Sequence, residues 1–491
     1  MSTDPPEADR PPPLWPPALA CAAVALWVDL GSIQRLQHAD SLLYAMISRW
    51  GWTPFYWGQD RLGMLVPLLA RPVADPLANL LLQDFLNIFA GLFAYVLMAR
   101  FALPDASYPV VGLGAAAASL AFAPPGYQAM YLIDACYGVW LSLGLGALIL
   151  AERPTPARLA GALSLVLLAH WVNFTTSLIL GPLVVGRALW PGRVADGRRR
   201  LTDAAVSLTL LAIGVAVGGW LTTLPVVKVA TSRAASPFTE WPDAWLGLWS
   251  RHREALSSGP LPASIAASAL LGLAALAVPA TRRRARLPWS AALALAAAAA
   301  VVWLYTGTRV WVRLNGYTYR YMIPSSMMVQ VAAAGLILGP IGRASGPRVR
   351  RGLGLAAASA MLLGAMWTFG PPSPAGVRRD FDRQFGALTP DLLAAGGTHL
   401  AGTYDRVWPA AFHAWIALHG RGERRFVWAI TGRAEATVDR WRPLAGPSAR
   451  IAVARGDDRA AVAAFREFDL PPPRLDARLD TLDVYRPDVA P

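Results

Sequence analysis

The chain has 491 residues, 55% of them hydrophobic and only 15% charged, with a mean hydropathy of +0.38. A water-soluble domain carries roughly 25% charged residues, so much of this apolar surface is expected to face lipid. The formal net charge of +14 does not point to nucleic acid, because the basic residues sit between apolar runs, where they act as topology signals.

Residues 1–13 are Pro-rich and polar and are expected to be a disordered cytoplasmic N-terminus. They lack the basic n-region and small-residue cleavage site of a signal peptide, so the first apolar run is expected to remain as a signal anchor. A hydrocarbon core about 30 Å thick needs roughly 20 apolar residues per helix. Such runs lie near 14–33, 77–99, 108–124, 135–151, 157–171, 174–190, 202–224, 262–280, 287–306, 321–341 and 353–369. The reading is an α-helical polytopic membrane protein of about eleven spans, with a transmembrane domain over 14–370.

Placing the N-terminus in the cytoplasm puts Arg100, Arg153, Arg158, Arg193, Arg198–Arg200, Arg282–Arg284, Arg286, Arg343, Arg348, Arg350 and Arg351 on cytoplasmic connections, as the positive-inside bias requires. Segment 157–190 reads either as one kinked helix or as a short pair turning at Trp171–Asn173. Only the pair keeps the basic clusters on both flanks on one side. With that parity, exterior loops cover 34–76, 225–261 and 306–320, and residues 371–491 lie outside. The last segment has no run long enough to span. Its short apolar stretches at Arg425–Thr431 and Arg450–Ala454 alternate with helical patterns at Pro409–His419 and Arg459–Phe468, predicting a small extracytoplasmic α/β domain. Cys21 and Cys136, with no ligand spacing around them, predict neither a zinc site nor a disulfide framework.

Polar residues of interest gather towards the outer side. The first exterior loop carries His38-Ala-Asp40-Ser-Leu-Leu-Tyr44-Ala-Met-Ile-Ser-Arg49, whose apolar spacing suits a helix along the membrane surface with Asp40 near its N-cap. Asp40 is then either a cap or a reactive acid. Gln83, Asp84 and Asn87 interrupt the second span, as a functional acid or as an interhelical clasp. His170, Asn173 and Asp134 fall near outer helix ends and read mainly as packed, hydrogen-bonded groups. Trp241, Trp245 and Trp249 recur at a spacing of four, the mark of an interfacial helix. The third loop, Arg309-Val-Trp311-Val-Arg313-Leu-Asn315-Gly316-Tyr317-Thr-Tyr319-Arg320-Tyr321, holds three arginines against the positive-inside bias. They meet either an anionic lipid phosphate or ordinary headgroups within an aromatic belt.

The stretch Asp40-Ser41-Leu42-Leu43-Tyr44-Ala45, just after the first span, resembles the GT-C membrane glycosyltransferases, especially the aminoarabinose and protein-mannosyl transferase branch. There the stretch often reads Asp-Glu-x-x-Tyr-Ala; here Ser41 stands in place of the Glu, which weakens any carry-over of a metal-binding acidic pair. The loop Tyr56-Trp57-Gly58-Gln59-Asp60-Arg61-Leu62-Gly63 with Pro67, and the closing Arg320-Tyr321-x-x-Pro324, are similar to the same family. The resemblance implies transfer of a sugar, with inversion, from a polyprenyl-phosphate donor to a lipid, glycan or protein acceptor outside a bacterial inner membrane, among membrane lipids and without nucleic acid. In that reading Asp40 is the catalytic base, with Asp60 in reserve. Arg320, Arg313, Arg309 and Arg61 hold the donor phosphate, and Tyr44, Gln59, Tyr319, Tyr321, Asp84, Asp134, His170 and Asn173 line the substrate. No metal ligands are assigned, and a divalent cofactor is left open. A transporter or flippase using Asp84, or a non-catalytic envelope assembly protein, are the alternatives; a transferase concentrates polar groups at the outer surface, a transporter near the midplane. Asp405-Arg406 could contact an acceptor or form a strand-to-helix turn.

Overall fold

The computed structural model describes residues 11–57, 62–103, 105–134, 136–152, 154–189, 197–224, 235–257, 259–277, 279–430 and 448–488. Its helices run as α1 (Trp15–Asp29), α2 (Ala39–Trp50), α3 (Leu65–Ala70), α4 (Pro76–Ala102), α5 (Tyr108–Phe122), α6 (Pro125–Ala129), α7 (Tyr137–Ala151), α8 (Pro156–Val172), α9 (Thr176–Leu189) and α10 (Gly197–Leu221). They continue as α11 (Trp241–Ser257), α12 (Leu261–Ala277), α13 (Pro279–Gly307), α14 (Val310–Leu314), α15 (Ile323–Ala344), α16 (Pro347–Phe369), α17 (Pro374–Phe385), α18 (Thr389–Ala394), α19 (Tyr404–Gly420) and α20 (Asp458–Glu467). The strands are β1 (His399–Ala401), β2 (Trp428–Ile430), β3 (Ile451–Ala454), β4 (Pro473–Arg478) and β5 (Leu482–Pro487).

Each expected apolar run is a helix. Among the described residues five are long and apolar enough to cross a membrane, or up to seven if each bent pair is one span, and four more apolar helices have 10–17 residues. Proline opens α5, α8, α15 and α16, where its missing N–H costs nothing and its fixed φ suits the first turn. The chain forms two compact units, one from the described residues of Met1–Asp29, Phe85–Leu224 and Thr231–Pro371, the other from those of Leu30–Asp84 and Pro372–Pro491.

In the first unit, charges gather at one end of the helix bundle. Glu152, after α7, accepts from Arg100 of α4 at 2.8 Å and from Arg187 of α9 at 2.7 Å. Asp105 accepts from Arg343 of α15 at 2.6 Å, and the Tyr108 hydroxyl donates to the carbonyls of Pro12 and Pro13 ahead of α1 at 2.9 and 3.1 Å. At the other end, the Trp27 indole donates to the Gly370 carbonyl at 2.9 Å, joining the C-terminal ends of α1 and α16. Segment 157–190 is two helices. Arg158 at the start of α8 donates to the Leu150 carbonyl at 3.1 Å, and Arg187 at the end of α9 reaches Glu152, so both flanks of the pair share one end.

The second unit is built on a five-stranded sheet of order β2-β1-β3-β5-β4. β1 runs parallel to both neighbours, and β5 antiparallel to β3 and β4. Its core joins Leu400, Ala452 and Val484 of the strands to Trp408, Phe412 and Phe465 of α19 and α20, and also to Leu42, Leu43, Met46 and Ile47 of α2. The loop after α1 is therefore part of the α/β unit. The apolar face of α2 is covered by protein, which has the same 3.6-residue spacing as a face laid on lipid.

Two expectations follow. Glu152→Gln leaves two partly buried guanidinium groups opposed, and should lower the midpoint of thermal unfolding in detergent by the equivalent of about 1–3 kcal/mol; an unchanged midpoint would show the triad to be decorative. His399, buried in β1 with its Nδ1 on the Thr398 hydroxyl at 2.9 Å, has its imidazole pushed down to about 4 by burial. The folded state holds it neutral while the unfolded chain protonates near 6.5. Its contribution is complete above about pH 6.5 and is lost as pH falls through 4. His399→Phe should flatten the fall in stability between those limits, read by near-UV circular dichroism.

Candidate active site

Asp40 sits in the first turn of α2, and it is not the cap. His38 is: its Nδ1 accepts the Asp40 N–H at 3.2 Å, while the Ser41 hydroxyl accepts the His38 N–H at 3.1 Å. The two bonds satisfy backbone donors that a helix start leaves open, and the Asp40 side chain is spared that task. Its Oδ1 instead accepts the hydroxyl of Tyr404, the first residue of α19. Tyr56, buried, lies 3.1 Å from the Tyr404 oxygen, hydroxyl to hydroxyl, and packs edge-on against Tyr44 at 5.4 Å. Burial, and then the neighbouring Tyr404 and Asp40, hold the Tyr56 phenol well above its ordinary value, so it stays a proton donor.

In the first unit the loop that follows α13 closes with Arg320. A left-handed turn at Gly316 (φ 63°) and Tyr317 (φ 54°) ends α14, and Leu248, Val312 and Met322 pack beneath it with Tyr317 and Tyr321. Gly247 on α11 must be glycine for this approach, since a Cβ there would lie 2.7 Å from the Tyr317 ring. The Arg320 guanidinium, half-buried, contacts the Tyr321 hydroxyl at 3.3 Å and the Asn315 side-chain oxygen at 3.5 Å. Its Nη1 lies 3.9 Å from the buried Asp134 carboxylate. Tyr319 stacks on Tyr127 at 5.7 Å. Asp134 closes the π-helical turn Met130–Asp134 just before Cys136 takes a left-handed φ of 53°. An unusual helical turn thus delivers the acid to the arginine.

The other loop arginines point elsewhere. Arg313, exposed, pairs with Glu240, and Arg309 lies over the Tyr305 ring at 5.0 Å. Trp241 and Trp245 spend their indole N–H groups on the carbonyls of Ser236 and Leu304, each at 2.9 Å, while Trp249 is exposed. His170 joins the Val166 carbonyl at 2.8 Å to the Ser177 hydroxyl at 2.6 Å, and the Asn173 carboxamide accepts the Thr175 N–H at 3.0 Å; both build the α8–α9 turn. Asp84 is a clasp. Its Oδ2 accepts the amides of Gln34 at 3.1 Å and Gln37 at 2.6 Å, and Asn79 beside it binds Ser48, Gln83 and the carbonyls of Ala70 and Val73. Gln59, Asp60 and Arg61 lie outside the described residues. Sequence reading quoted Tyr56 within the resembling loop but gave neither it nor Tyr404 a role in the site. It singled out the segment at Asp405-Arg406, one residue away, but nothing in a helix N-terminus announces which hydroxyl will meet a carboxylate far along the chain.

No family of known proteins matches the sequence, and no curated protein matches it. Among solved structures the chain is similar to ArnT from Cupriavidus metallidurans, in a crystal structure bound to undecaprenyl phosphate. The two are 14% identical, 95% of this chain and 97% of that one are covered, and the TM-score is 0.47. The likeness is one of chain fold alone.

Because Asp84 serves two buried amides, Asp84→Ala should strip both of their shared acceptor and lower stability by about 1–3 kcal/mol, with Asp84→Asn recovering part of the loss. Unfolding of the full chain in detergent checks this; equal stability of all three proteins would refute the clasp.

Proposed function

We propose that this chain is a membrane glycosyltransferase that moves a sugar from a polyprenyl-phosphate carrier to an acceptor on the extracytoplasmic face of a bacterial inner membrane, with inversion. The observation that carries the reading is Asp40: a carboxylate in the first turn of a helix capped by another residue, with one oxygen held by a tyrosine hydroxyl. A carboxylate needed only as a cap would spend its oxygens on backbone N–H groups.

In the proposed reaction Asp40 takes the proton of the acceptor hydroxyl as its oxygen forms a bond to the anomeric carbon. The bond from that carbon to the carrier phosphate breaks on the opposite face, and the electron pair leaves with the phosphate. Negative charge grows on that leaving group, and Arg320 is the cation assigned to it. The contacts from Asn315 and Tyr321 to its guanidinium hold the fork in place before donor arrives. Arg313 and Arg309 have a weaker claim, the first being paired with Glu240 and the second lying over Tyr305. Residues 371–491 are assigned to the outer face as a docking or acceptor-binding domain. The transport alternative leaned on Asp84, and the hydrogen bonds from Gln34 and Gln37 favour a structural clasp over a substrate carrier.

The test is transfer by the purified chain in lipid, offered a panel of polyprenyl-phosphate sugars. The parent should release or transfer sugar. Asp40→Asn should lose about a hundredfold or more in kcat, and Arg320→Ala should raise the donor KM and lower kcat together, both at unchanged folding. Full activity in Asp40→Asn would remove the base. Failure of every polyprenyl-linked sugar to bind would remove the reaction.

A further inference from the structure

Resting on the transferase reading above, we infer that Tyr404, with Tyr56 behind it, is a positioning residue for the Asp40 carboxylate, so that the C-terminal α/β region supplies part of the catalytic machinery. The chain of groups runs in one direction. Tyr404 donates its hydroxyl proton to Asp40 Oδ1, which leaves the Tyr404 oxygen to accept from Tyr56 across 3.1 Å. Tyr56 is buried and its ring is fixed edge-on by Tyr44, so the relay starts from a rigid base.

One further contact makes the arrangement a device for aiming one side chain. The backbone of Asp40 is anchored by His38 Nδ1, which fixes where the side chain leaves the helix. The Tyr404 hydroxyl then fixes the rotation of the carboxylate, directing the remaining oxygen. Tyr404 reaches this place because β1 ends at Ala401 and Gly402 turns the chain at φ 149°, a conformation open to glycine, so that α19 begins on Tyr404. A general base must lie within hydrogen-bond reach of the proton it takes, and a carboxylate free to rotate would spend part of its time turned away.

The experiment compares the full chain in lipid with Tyr404→Phe, Tyr56→Phe and Asp40→Asn. The phenylalanine variants keep the rings and their packing. Tyr404→Phe should lower kcat about 10- to 100-fold, the worth of one hydrogen bond to a charged group, with the donor KM unchanged. Tyr56→Phe should lower kcat in the same sense and by less. The activity-independent readout is the Asp40 carboxylate stretching band, isolated as the infrared difference between parent and Asp40→Asn; in Tyr404→Phe it should move to the frequency of a carboxylate lacking that donor. An unmoved band, or a kcat equal to the parent's in Tyr404→Phe, overturns the inference. A loss confined to thermal stability, with kcat intact, also overturns it, since that is what a merely structural tyrosine would give. A band that moves in Tyr404→Phe while the parent transfers no sugar retains the tyrosine–carboxylate bond, and overturns the positioning role together with the transferase reading. Full activity in Asp40→Asn with a moved band rejects Asp40 as the base and the positioning role with it.

Discussion

The packing of α2 into the α/β unit is the constraint on which the candidate chemistry depends. Leu42, Leu43, Met46 and Ile47 are buried with Trp408 and Phe412 of α19 in one core, and burial of such side chains is worth roughly 1.5–3 kcal/mol each. That energy holds the first turns of α2 and α19 in a fixed relation. A hydrogen bond between Asp40 and Tyr404, worth less than the apolar contact beneath it, then forms without having to order the two helices itself. The apolar core bears the entropy of bringing positions 40 and 404 together, and the polar pair inherits a fixed geometry.

The bundle of the first unit uses charge differently. Arg100, Arg187 and Glu152, and Arg343 with Asp105, meet at helix ends, where cations near a C-terminal end also answer the helix dipole. The two flanks of α8 and α9 share that end, where Arg158 and Arg187 lie. Arg320 differs in degree: its carboxylate, Asp134, lies at 3.9 Å, Asn315 and Tyr321 make its closer contacts, and the guanidinium lies over the Tyr321 ring. Arg320 and Arg313 thus each have a carboxylate partner, the Arg320 pair being the longer and more buried of the two and the Arg313 pair the more exposed.

Hydropathy reveals the spanning helices because lipid leaves the backbone no alternative: a run of apolar residues must satisfy its N–H and C=O groups internally. The strands at Trp428–Ile430 and Ile451–Ala454 and the helices α19 and α20 were likewise readable from short periodic segments. What sequence could not settle was which environment meets a periodic face. The spacing in α2 fits a membrane surface and a protein core equally well, and the core is what covers it. The cap of α2 shows the same limit: Asp is the commoner cap by composition, yet His38 accepts the N–H and Ser41 completes the box. Asp84 carried two readings of one residue, and its hydrogen-bond partners Gln34 and Gln37 lie some fifty positions earlier. For the α2 face and for Asp84 the partners are remote in sequence; for the cap they are neighbours.

The same remoteness gives the Asp40–Tyr404 bond its consequence. Position 404 belongs to a strand-to-helix turn whose geometry is set by the sheet: β1 is held on both sides by parallel partners, β2 and β3, and Gly402 turns the chain into α19. Anything that shifts β1 along its neighbours moves the start of α19 and, with it, the hydroxyl that holds the carboxylate. Under the proposed function, an acceptor docked on the α/β region would act on the same framework that holds the Asp40–Tyr404 bond, without needing a separate moving part. That coupling runs through covalent turns and a packed core, which transmit small displacements because they have little free volume to absorb them.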